Sequence, residues 1–564
     1  MFDLVIEGGQ VFDGTGAEST IADVAVRDGR IVALGDLGDS DASQRLNARG
    51  LLVTPGFIDV HSHLDGNVTW EHQLKPNSGH GITTTVIGNC GVGFAPCRPE
   101  HREFVVALME GVEDIPAEQL NAGLPWNWQS FPEYLASLST RAFDMNVASL
   151  LPHSCLRVFV MGERAIDGEP ASRADIDAMA RIADEAMAAG AVGLGSTRLH
   201  GQKTRSGIPA PSQHATVEEY QALGEVLAAH GRMLQIAPEF NQYPLADDEI
   251  AMAIHVARTT GCTLTYSLKQ TNGDPHGWRG LMAQTQAAVQ DGVRVFPQVL
   301  GRPTGAIITW EAVNHPFSRC PAYQEIAGLP IDERVEELAR PERRSAIVAQ
   351  AEAKPGGFAR LYGHLFAMSE RMDYEPSERD SVVPSAERAG KSTAAYMYDA
   401  LMANDGRGVL LLCSGNYAEY SLDPMLEMMQ SEGSVLGLGD GGAHSSVICD
   451  ASATTTMLTY WTRDRACGAR MALPEVVRKL TSEPAALFGF EDRGVIQVGA
   501  HADINVIDYE RLDVGMPEMH YDLPAGGKRL VQPTSGYVAT FVSGVMVHGD
   551  GKDTGATPGQ LVAA

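Results

Sequence analysis

Residues 53–63 read Val-Thr-Pro-Gly-Phe-Ile-Asp-Val-His-Ser-His, and this stretch decides how the rest of the chain is interpreted. The apolar run 57–60 follows a Pro-Gly turn and predicts a buried strand. Alternate residues of a strand point to the same face, so His61 and His63 direct two imidazoles to one point. Such convergence is typical of a divalent metal site, and two solvated histidines at a strand end are the alternative.

Further apolar strand candidates alternate with amphipathic helix patterns along the middle of the chain. Helical patterns cover 172–189, 217–230 and 247–258, the first with Ser172 as a candidate N-cap. Parallel strands joined by helices predict an α/β fold, a (β/α)₈ TIM-like barrel, with a doubly wound sheet as the alternative. No Gly-x-Gly-x-x-Gly follows an early strand, which favours the barrel. The strand candidates are 57–63, 83–90, 146–151, 191–196, 232–237, 262–268, 293–299 and 434–440.

Short strand patterns separated by turn residues occupy both ends of the chain. They predict one small β-domain formed by residues 1–54 together with residues 491–564. The barrel then covers residues 55–490. Residues 310–395 are mostly polar and are predicted to be a helical insertion, with helices from Pro330 to Gln350 and from Ser369 to Ala400. Long insertions on a barrel tend to shape the substrate opening.

The composition and charge of the chain narrow the class of molecule that it can bind. The 564 residues carry a formal net charge of −28, which argues against nucleic acid or an anionic membrane surface as a partner. The first residues lack the pattern of a signal peptide, and no apolar run is long enough to span a membrane. Eight scattered cysteines without a C-x-x-C pair fit reduced thiols. We therefore expect a cytoplasmic protein that acts on a small molecule, with homo-oligomer formation left open.

The ends of two other strand candidates carry metal-ligating side chains. The strand 83–90 ends in Gly-Asn-Cys, which places Cys90 there, and 434–440 ends in Gly-Asp, which places Asp440 there. Barrel active sites lie at these carboxyl ends, and imidazole, thiolate and carboxylate all suit zinc. A buried core thiol is the alternative for Cys90, and a turn cap is the alternative for Asp440. An unpaired carboxylate closing an apolar strand is costly, so we predict a functional Asp440.

Three motifs together resemble the metal-dependent amidohydrolase superfamily, and within it the N-acyl-D-amino-acid deacylase (D-aminoacylase) branch. They are the Pro-Gly-Phe-Ile-Asp-Val-His-Ser-His start, the Gly-Asn-Cys-Gly strand end and the late Gly-Asp-Gly-Gly-Ala-His. The resemblance implies a deformed (β/α)₈ barrel with a small β-sandwich and metal-assisted hydrolysis of an amide. It also implies that His61, His63 and Cys90 are ligands. Asp440 would then be both a ligand and the general base.

Two departures from that family affect the metal count and the substrate. The family's deacylases carry histidines at the ends of the fifth and sixth strands, where this chain has Gln235 and Ser267. Both are poor zinc ligands, so the sequence favours one zinc ion over two. Lys269 lies beside them and is interpreted as a substrate-binding or hydrogen-bonding group, with carbamylation to a metal ligand as the alternative.

The second departure follows Asp440. The family has an arginine there that binds the substrate carboxylate, whereas this chain continues through His444 without one until Arg463. This argues against a free N-acyl-D-amino acid as substrate, because bidentate carboxylate binding is not readily replaced. The candidate substrate-binding residues are Lys269, Gln235, Arg198, Ser267 and His444.

The predicted function is zinc-dependent hydrolysis of an amide bond in a small molecule, similar to that of the N-acyl-amino-acid deacylases. Two alternatives remain open at this point. One is a ring-opening hydrolase of a cyclic amide, imide or lactone, since a shared fold does not fix the substrate. The other is a non-catalytic binding protein whose metal site has decayed, an idea that rests on the two missing histidines.

Overall fold

The computed structural model describes residues 1–38 and 40–563, so Asp39 and Ala564, which the predicted terminal domain includes, lie outside the described residues. The fold is α/β, which confirms the predicted class. Within the described residues, no helix combines the length and the apolar character that crossing a membrane requires.

Two parallel sheets hold the strand candidates of the middle of the chain. The first sheet runs, in spatial order, through Val435–Leu436, Val295–Val299, Thr263–Ser267, Met233–Ala237, Gly193–Thr197 and Leu151–Pro152, and the second through Phe57–Asp59, Ile82–Ile87 and Asn146–Ser149. One pair of edges is joined by chain continuity, because only Leu150 separates Asn146–Ser149 from Leu151–Pro152. At the other pair of edges Ser62 and Gly441 form a parallel bridge, and Asp440 N donates to His61 O at 3.0 Å.

Helices follow most of these strands and cover the sheets. The predicted helix at 172–189 is present as Arg173–Ala188, and Ser172 caps it by accepting from the backbone N–H of Asp175. The predicted helices 217–230 and 247–258 are present as Val217–Ala229 and Tyr243–Thr260. The other α-helices outside the insertion are Asn67–Trp70, Arg102–Glu113, Ala117–Gly123, Phe131–Ser139, His153–Met161, Glu163–Ile166, Trp278–Gln290, Asp423–Gln430, Ala453–Thr459, Leu473–Leu480 and Ser482–Phe488.

Strands from both ends of the chain share one further sheet. Ile504–Ile507 pairs antiparallel with Leu52–Pro55, which joins the two ends of the chain. Buried side chains from both ends, among them Ile6, Val53 and Phe541, pack in one cluster. The remaining strands of this sheet are Phe2–Val11, Thr20–Arg27, Arg30–Gly35, Ala42–Asn47, Tyr537–Val542, Val545–Gly549 and Lys552–Asp553. Two short antiparallel pairs lie near it, Asp513–Val514 with Thr534–Ser535 and Glu518–Leu523 with Gly527–Val531.

The predicted insertion differs from expectation in its secondary structure. Its helices are Pro321–Gln324, Ile331–Leu338, Pro341–Ala353, Val382–Arg388 and Thr393–Gly406. The prediction of a helix from Ser369 is therefore wrong, because no α-helix begins before Val382 in that stretch. An antiparallel sheet of Thr304–Ile308, Val409–Gly415 and Leu365–Met368 was not predicted. Its central strand pairs with partners that are far away along the chain, and local patterns carry no signal for such pairing.

Candidate active site

His61 and His63 lie just after the strand Phe57–Asp59. Asp59 holds the turn, since its Oδ1 accepts from the backbone N–H of His61 at 3.0 Å and its Oδ2 accepts from Asn77 Nδ2 at 2.7 Å. His61 and His63 are both buried, and their ring centroids are 5.4 Å apart. The alternation predicted from the sequence thus places the two imidazoles side by side.

Cys90 and Asp440 reach the same point from other strands. His61 Nε2 lies 3.4 Å from Cys90 Sγ and 3.3 Å from Asp440 Oδ1, and His63 Nε2 lies 3.7 Å from the same oxygen. Ligands bound tetrahedrally to one zinc at 2.0–2.3 Å stand about 3.3–3.8 Å from one another. The three separations match that spacing, and the ligand atoms of His61, His63 and Cys90 all lie within 4.8 Å of one another, so these residues fit one divalent ion. Asp440 stands outside that three-residue cluster, with its Oδ1 close to both histidine rings.

Two residues that the sequence interpretation missed lie against the histidine rings, and one of them, Gln298, orients His61 through a hydrogen bond. Gln298 Oε1 lies 2.7 Å from His61 Nδ1, and because an amide oxygen only accepts, Nδ1 carries the proton and Nε2 keeps a free lone pair. Glu113 Oε1 lies 3.4 Å from His63 Nδ1. Gln298 is the one polar residue of the otherwise apolar strand Val295–Val299, a signal that could have been noticed. Glu113 ends the helix Arg102–Glu113, and nothing in its local sequence points to the site.

The backbone at the site is held in a conformation that L-residues rarely adopt. Cys90, Asp440 and His444 have φ of 55°, 43° and 44°. Non-glycine residues in this left-handed region store strain, and such residues cluster at functional sites. Gly88 precedes them with φ of 82°, and a Cβ there would lie 2.3 Å from the carbonyl oxygen of Leu150. The Gly-Asn-Cys-Gly motif therefore lets the chain turn tightly enough to aim the thiol inward.

Burial sets the protonation states of the ligands. Desolvation holds the pKa of His63 well below its ordinary value, with the nearby His61 adding to the effect, so the ring is neutral and able to bind a cation. Desolvation also raises the pKa of the Cys90 thiol and the pKa of the Glu113 carboxyl. A buried thiol becomes a thiolate readily only beside a positive charge, which a divalent ion provides.

Asp440 differs from the other ligands in its exposure. Its side chain is 32% exposed, so the expectation that the carboxylate is buried at an apolar strand end is wrong. The chain leaves the strand at Leu436, and the residues that follow open onto a cavity of about 360 Å³. Asp440 therefore has one oxygen near the histidines and access to whatever fills the cavity.

The cavity wall combines polar and apolar groups around this point. Its polar groups include Ser267, Lys269, Thr304 and His444, and Phe240 is among its apolar groups. Lys269 Nζ lies 4.0 Å from the centroid of the Phe240 ring, and desolvation lowers the pKa of Lys269 to about 8. Among the residues that the structure describes, the Lys269 ammonium forms neither a salt bridge nor a side-chain hydrogen bond. It is a cation directed at the cavity.

Comparison with known proteins places the chain in a family. The profile of the amidohydrolase family matches residues 44–548. The chain belongs to the amidohydrolase family. It is 30% identical over 513 residues to an N-acyl-D-glutamate deacylase of Alcaligenes xylosoxydans xylosoxydans, covering 90% of this chain and 87% of that protein.

Solved structures agree on the fold. The N-acyl-D-glutamate deacylase of Bordetella bronchiseptica, solved with zinc and a phosphonate inhibitor, superposes with a TM-score of 0.65 at 24% identity over the full length of both chains. A D-aminoacylase described with a binuclear metal centre also superposes with a TM-score of 0.65, at 22% identity and again over the full length of both chains.

These findings confirm the resemblance to the D-aminoacylase branch of the metal-dependent amidohydrolases. This amidohydrolase is a metal-dependent hydrolase of carbon–nitrogen bonds other than peptide bonds, similar to the N-acyl-amino-acid deacylases. It therefore acts on a small-molecule substrate, and the donor set supports a divalent metal. The interpretation as a non-catalytic binding protein loses its support.

The substrate-binding candidates of this amidohydrolase fall into two groups. Ser267, Lys269 and His444 line the cavity. Gln235 is fully buried beside the cavity, where its Oε1 accepts from the backbone N–H of Cys90 at 2.9 Å. Arg198 does not line the cavity, because its Nε donates to Glu249 Oε1 at 3.0 Å. Substrate binding by Gln235 and Arg198 stays a prediction that their placement does not favour.

Proposed function

We propose that this amidohydrolase is a zinc-dependent deacylase that hydrolyses the amide bond of an N-acyl amino acid or a related small acid. The observation that carries the proposal is the cluster of His61, His63 and Cys90, whose ligand atoms lie within 4.8 Å of one another, with Asp440 Oδ1 3.3 Å and 3.7 Å from the two histidine Nε2 atoms. Asp440 is proposed as both ligand and general base.

The chemistry is divided between the ion and the protein. Zinc, when bound, lowers the pKa of a water molecule and polarises a carbonyl group. Asp440 accepts the proton of the attacking water, since it alone among the four ligands opens onto the cavity with a carboxylate. It then donates this proton to the leaving nitrogen, so that the amine departs neutral. The wall formed by Phe240 and its apolar neighbours limits access of bulk water.

One zinc ion rather than two is proposed for this chain. The strand Met233–Ala237 carries Gln235 at its centre and the strand Thr263–Ser267 ends in Ser267, and both residues are poor zinc ligands. Gln235 is already engaged with the backbone N–H of Cys90. The binuclear centre named for the compared D-aminoacylase belongs to that protein.

Lys269 is proposed to bind an anionic group of the substrate. The chain lacks an arginine shortly after Asp440, and Lys269 is the cation that lines the cavity. The absence of the arginine argued against a free N-acyl amino acid, but the position of Lys269 restores a partner for a carboxylate. The ammonium is a point charge rather than a planar fork, so the carboxylate is held less rigidly than arginine would hold it. Ser267 and His444 are proposed as additional substrate contacts.

The same proposal covers architecture and location. We infer a (β/α)₈ barrel from residues 55–490 with the insertion at 310–395, supported by the contact of the two parallel sheets at both pairs of edges. Residues 1–54 and 491–564 are proposed to form the small β-sandwich, supported by their shared sheet and buried cluster. A cytoplasmic location is proposed on the eight free cysteines.

Two measurements test the proposed function. Metal content by mass spectrometry, on protein purified without chelators, is expected to give about one zinc per chain. A substrate panel then compares N-acyl-D- and N-acyl-L-amino acids, acidic and neutral, with cyclic imides and lactones. Preferred hydrolysis of an acyclic anionic amide supports the proposal. Turnover of the cyclic compounds alone would establish the ring-opening alternative, and no bound metal after zinc is added back would refute both.

A further inference from the structure

The largest described cavity that lies away from the catalytic site is in the insertion. It has a volume of about 760 Å³, within the range of small-molecule sites, and shares no lining residue with the catalytic cavity. Its walls are the loop 314–321, the end of the helix Pro341–Ala353 and the segment 355–361. The insertion has its own buried core, which includes Trp310, so this cavity is supported by packed structure.

The charge on the wall of this insertion cavity is opposite to that of the whole chain. Arg319, Lys354 and Arg360 line it, and its lining contains no aspartate or glutamate. The protein as a whole carries a net charge of −28. Across residues 1–38 and 40–563, none of these three cations forms a salt bridge or a side-chain hydrogen bond. A focused positive wall in an acidic protein favours an anion.

A buried hydrogen-bond donor without a partner lies in the same wall. His315 is 1% exposed, and its Nδ1 accepts from the backbone N–H of Phe317 at 3.3 Å. Desolvation, with Arg334 nearby, lowers the pKa of His315 to about 3, so the ring is neutral and carries its proton on Nε2. Within the described part of the chain, that Nε2 has no hydrogen-bond partner. The atom is enclosed, and the ring packs edge-to-face against Trp310 and Tyr323, so His315 supports the wall from behind and the charged contacts come from the three cations.

The rest of the wall is apolar. Phe358 and Leu361 line the cavity together with several prolines, and no acidic side chain lies among the lining residues. A fully inorganic anion would leave that surface in contact with water. A ligand with an anionic head and an apolar body satisfies the three cations and the apolar wall together.

We propose that the insertion cavity is a second ligand site, which binds a small organic anion through Arg319, Lys354 and Arg360 and packs its apolar body against Phe358 and Leu361. The site is separate from the metal ligands. The proposal therefore does not depend on the reaction catalysed at Asp440.

Calorimetric titration of the whole protein with three probes tests the ligand class. Octanoate carries an anionic head on an apolar chain, octylamine carries a cationic head on the same chain, and inorganic phosphate has no apolar body. Saturable binding of octanoate, with octylamine and phosphate binding much more weakly or not at all, is expected. Absence of saturable octanoate binding, or equal binding of octylamine or of phosphate, overturns the proposal.

Variants locate the binding. The double variant R319Q/R360Q is expected to weaken octanoate about tenfold, by loss of two partly exposed charge contacts. Ala353 is exposed at the end of its helix and lines the cavity, so A353W narrows the cavity without removing a charge and is expected to weaken this binding. Arg371 is an exposed residue of the insertion outside the cavity, and R371Q serves as the matched control.

Any octanoate held in the catalytic cavity is common to all these proteins, so the differences between titrations report the insertion cavity alone. If A353W and R319Q/R360Q titrate like the wild type, or if R371Q weakens octanoate as much as the double variant, the proposal is wrong.

Discussion

Replacing Lys269 by methionine separates stability from activity at the catalytic cavity. The ammonium is half-buried against Phe240, and desolvation lowers its pKa from 10.5 to about 8. A pKa difference of this size corresponds to about 3 kcal/mol of destabilisation of the charged form. Screening by water in the cavity reduces this, so we expect K269M to raise the free energy of unfolding by about 2 kcal/mol at pH 7.

The stability gain should depend on pH in a definite direction. Below pH 8 the folded and unfolded states both hold the proton, so the full destabilisation by Lys269 is present. Between pH 8 and about 10.5 the unfolded state retains a proton that the folded state has lost, and the wild type gains stability. The difference between the wild type and K269M should therefore shrink over this interval. Urea denaturation followed by tryptophan fluorescence at a series of pH values measures it.

Activity should move in the opposite direction. If Lys269 binds a substrate carboxylate, K269M lowers kcat/KM for an anionic N-acyl amino acid by about 10²–10³, the usual loss when one partner of a buried charge pair is removed. The wild-type kcat/KM should also fall above pH 8, whereas K269R keeps its charge and should not show that decline. K552M, at an exposed lysine of the terminal sheet, is the matched control. A K269M protein that is less stable than the wild type, or equally active, would refute the reasoning.

Three further changes test the metal site. Gln298→Leu removes the acceptor of His61 Nδ1–H and is expected to weaken zinc binding about 10–100-fold. Competition with a chromogenic chelator measures the zinc affinity, and an unchanged affinity would contradict the role of Gln298 in positioning His61. Asp440→Asn should lower kcat about 10²–10⁴-fold while the denaturation midpoint changes little, because the side chain opens onto the cavity, and an active variant would remove Asp440 as general base. The double variant Gln235→His/Ser267→His supplies two imidazoles on adjacent strands, so the zinc content should rise from about one to about two per chain. A zinc content that stays at one would show that the missing histidines do not limit the number of bound ions.

Local pattern was sufficient to predict the strands of the middle of the chain and to propose ligands that follow them. His61 and His63 follow from strand alternation, and Cys90 and Asp440 from their position after apolar runs. The helix Arg173–Ala188 and its cap were likewise predicted from neighbouring residues. These features depend on interactions within a few residues, so the sequence contains the information directly.

The insertion shows where local pattern fails. Its antiparallel sheet pairs Thr304–Ile308 with Val409–Gly415, and its predicted second helix begins well after Ser369. The exposure of Asp440 was also misjudged, because the strand Val435–Leu436 is short and the chain opens onto the cavity beyond it.

The sequence by itself indicated the fold class, the family and the four candidate donor residues. Tertiary structure alone decided what surrounds them, such as Gln298 on His61, 237 residues apart in the chain, and Glu113 beside His63. It also decided which candidates reach the cavity, Lys269 doing so while Arg198 pairs with Glu249. The physical reason is that a ligand's identity is local, whereas its protonation, tautomer and access depend on burial and on partners that only the folded chain brings together.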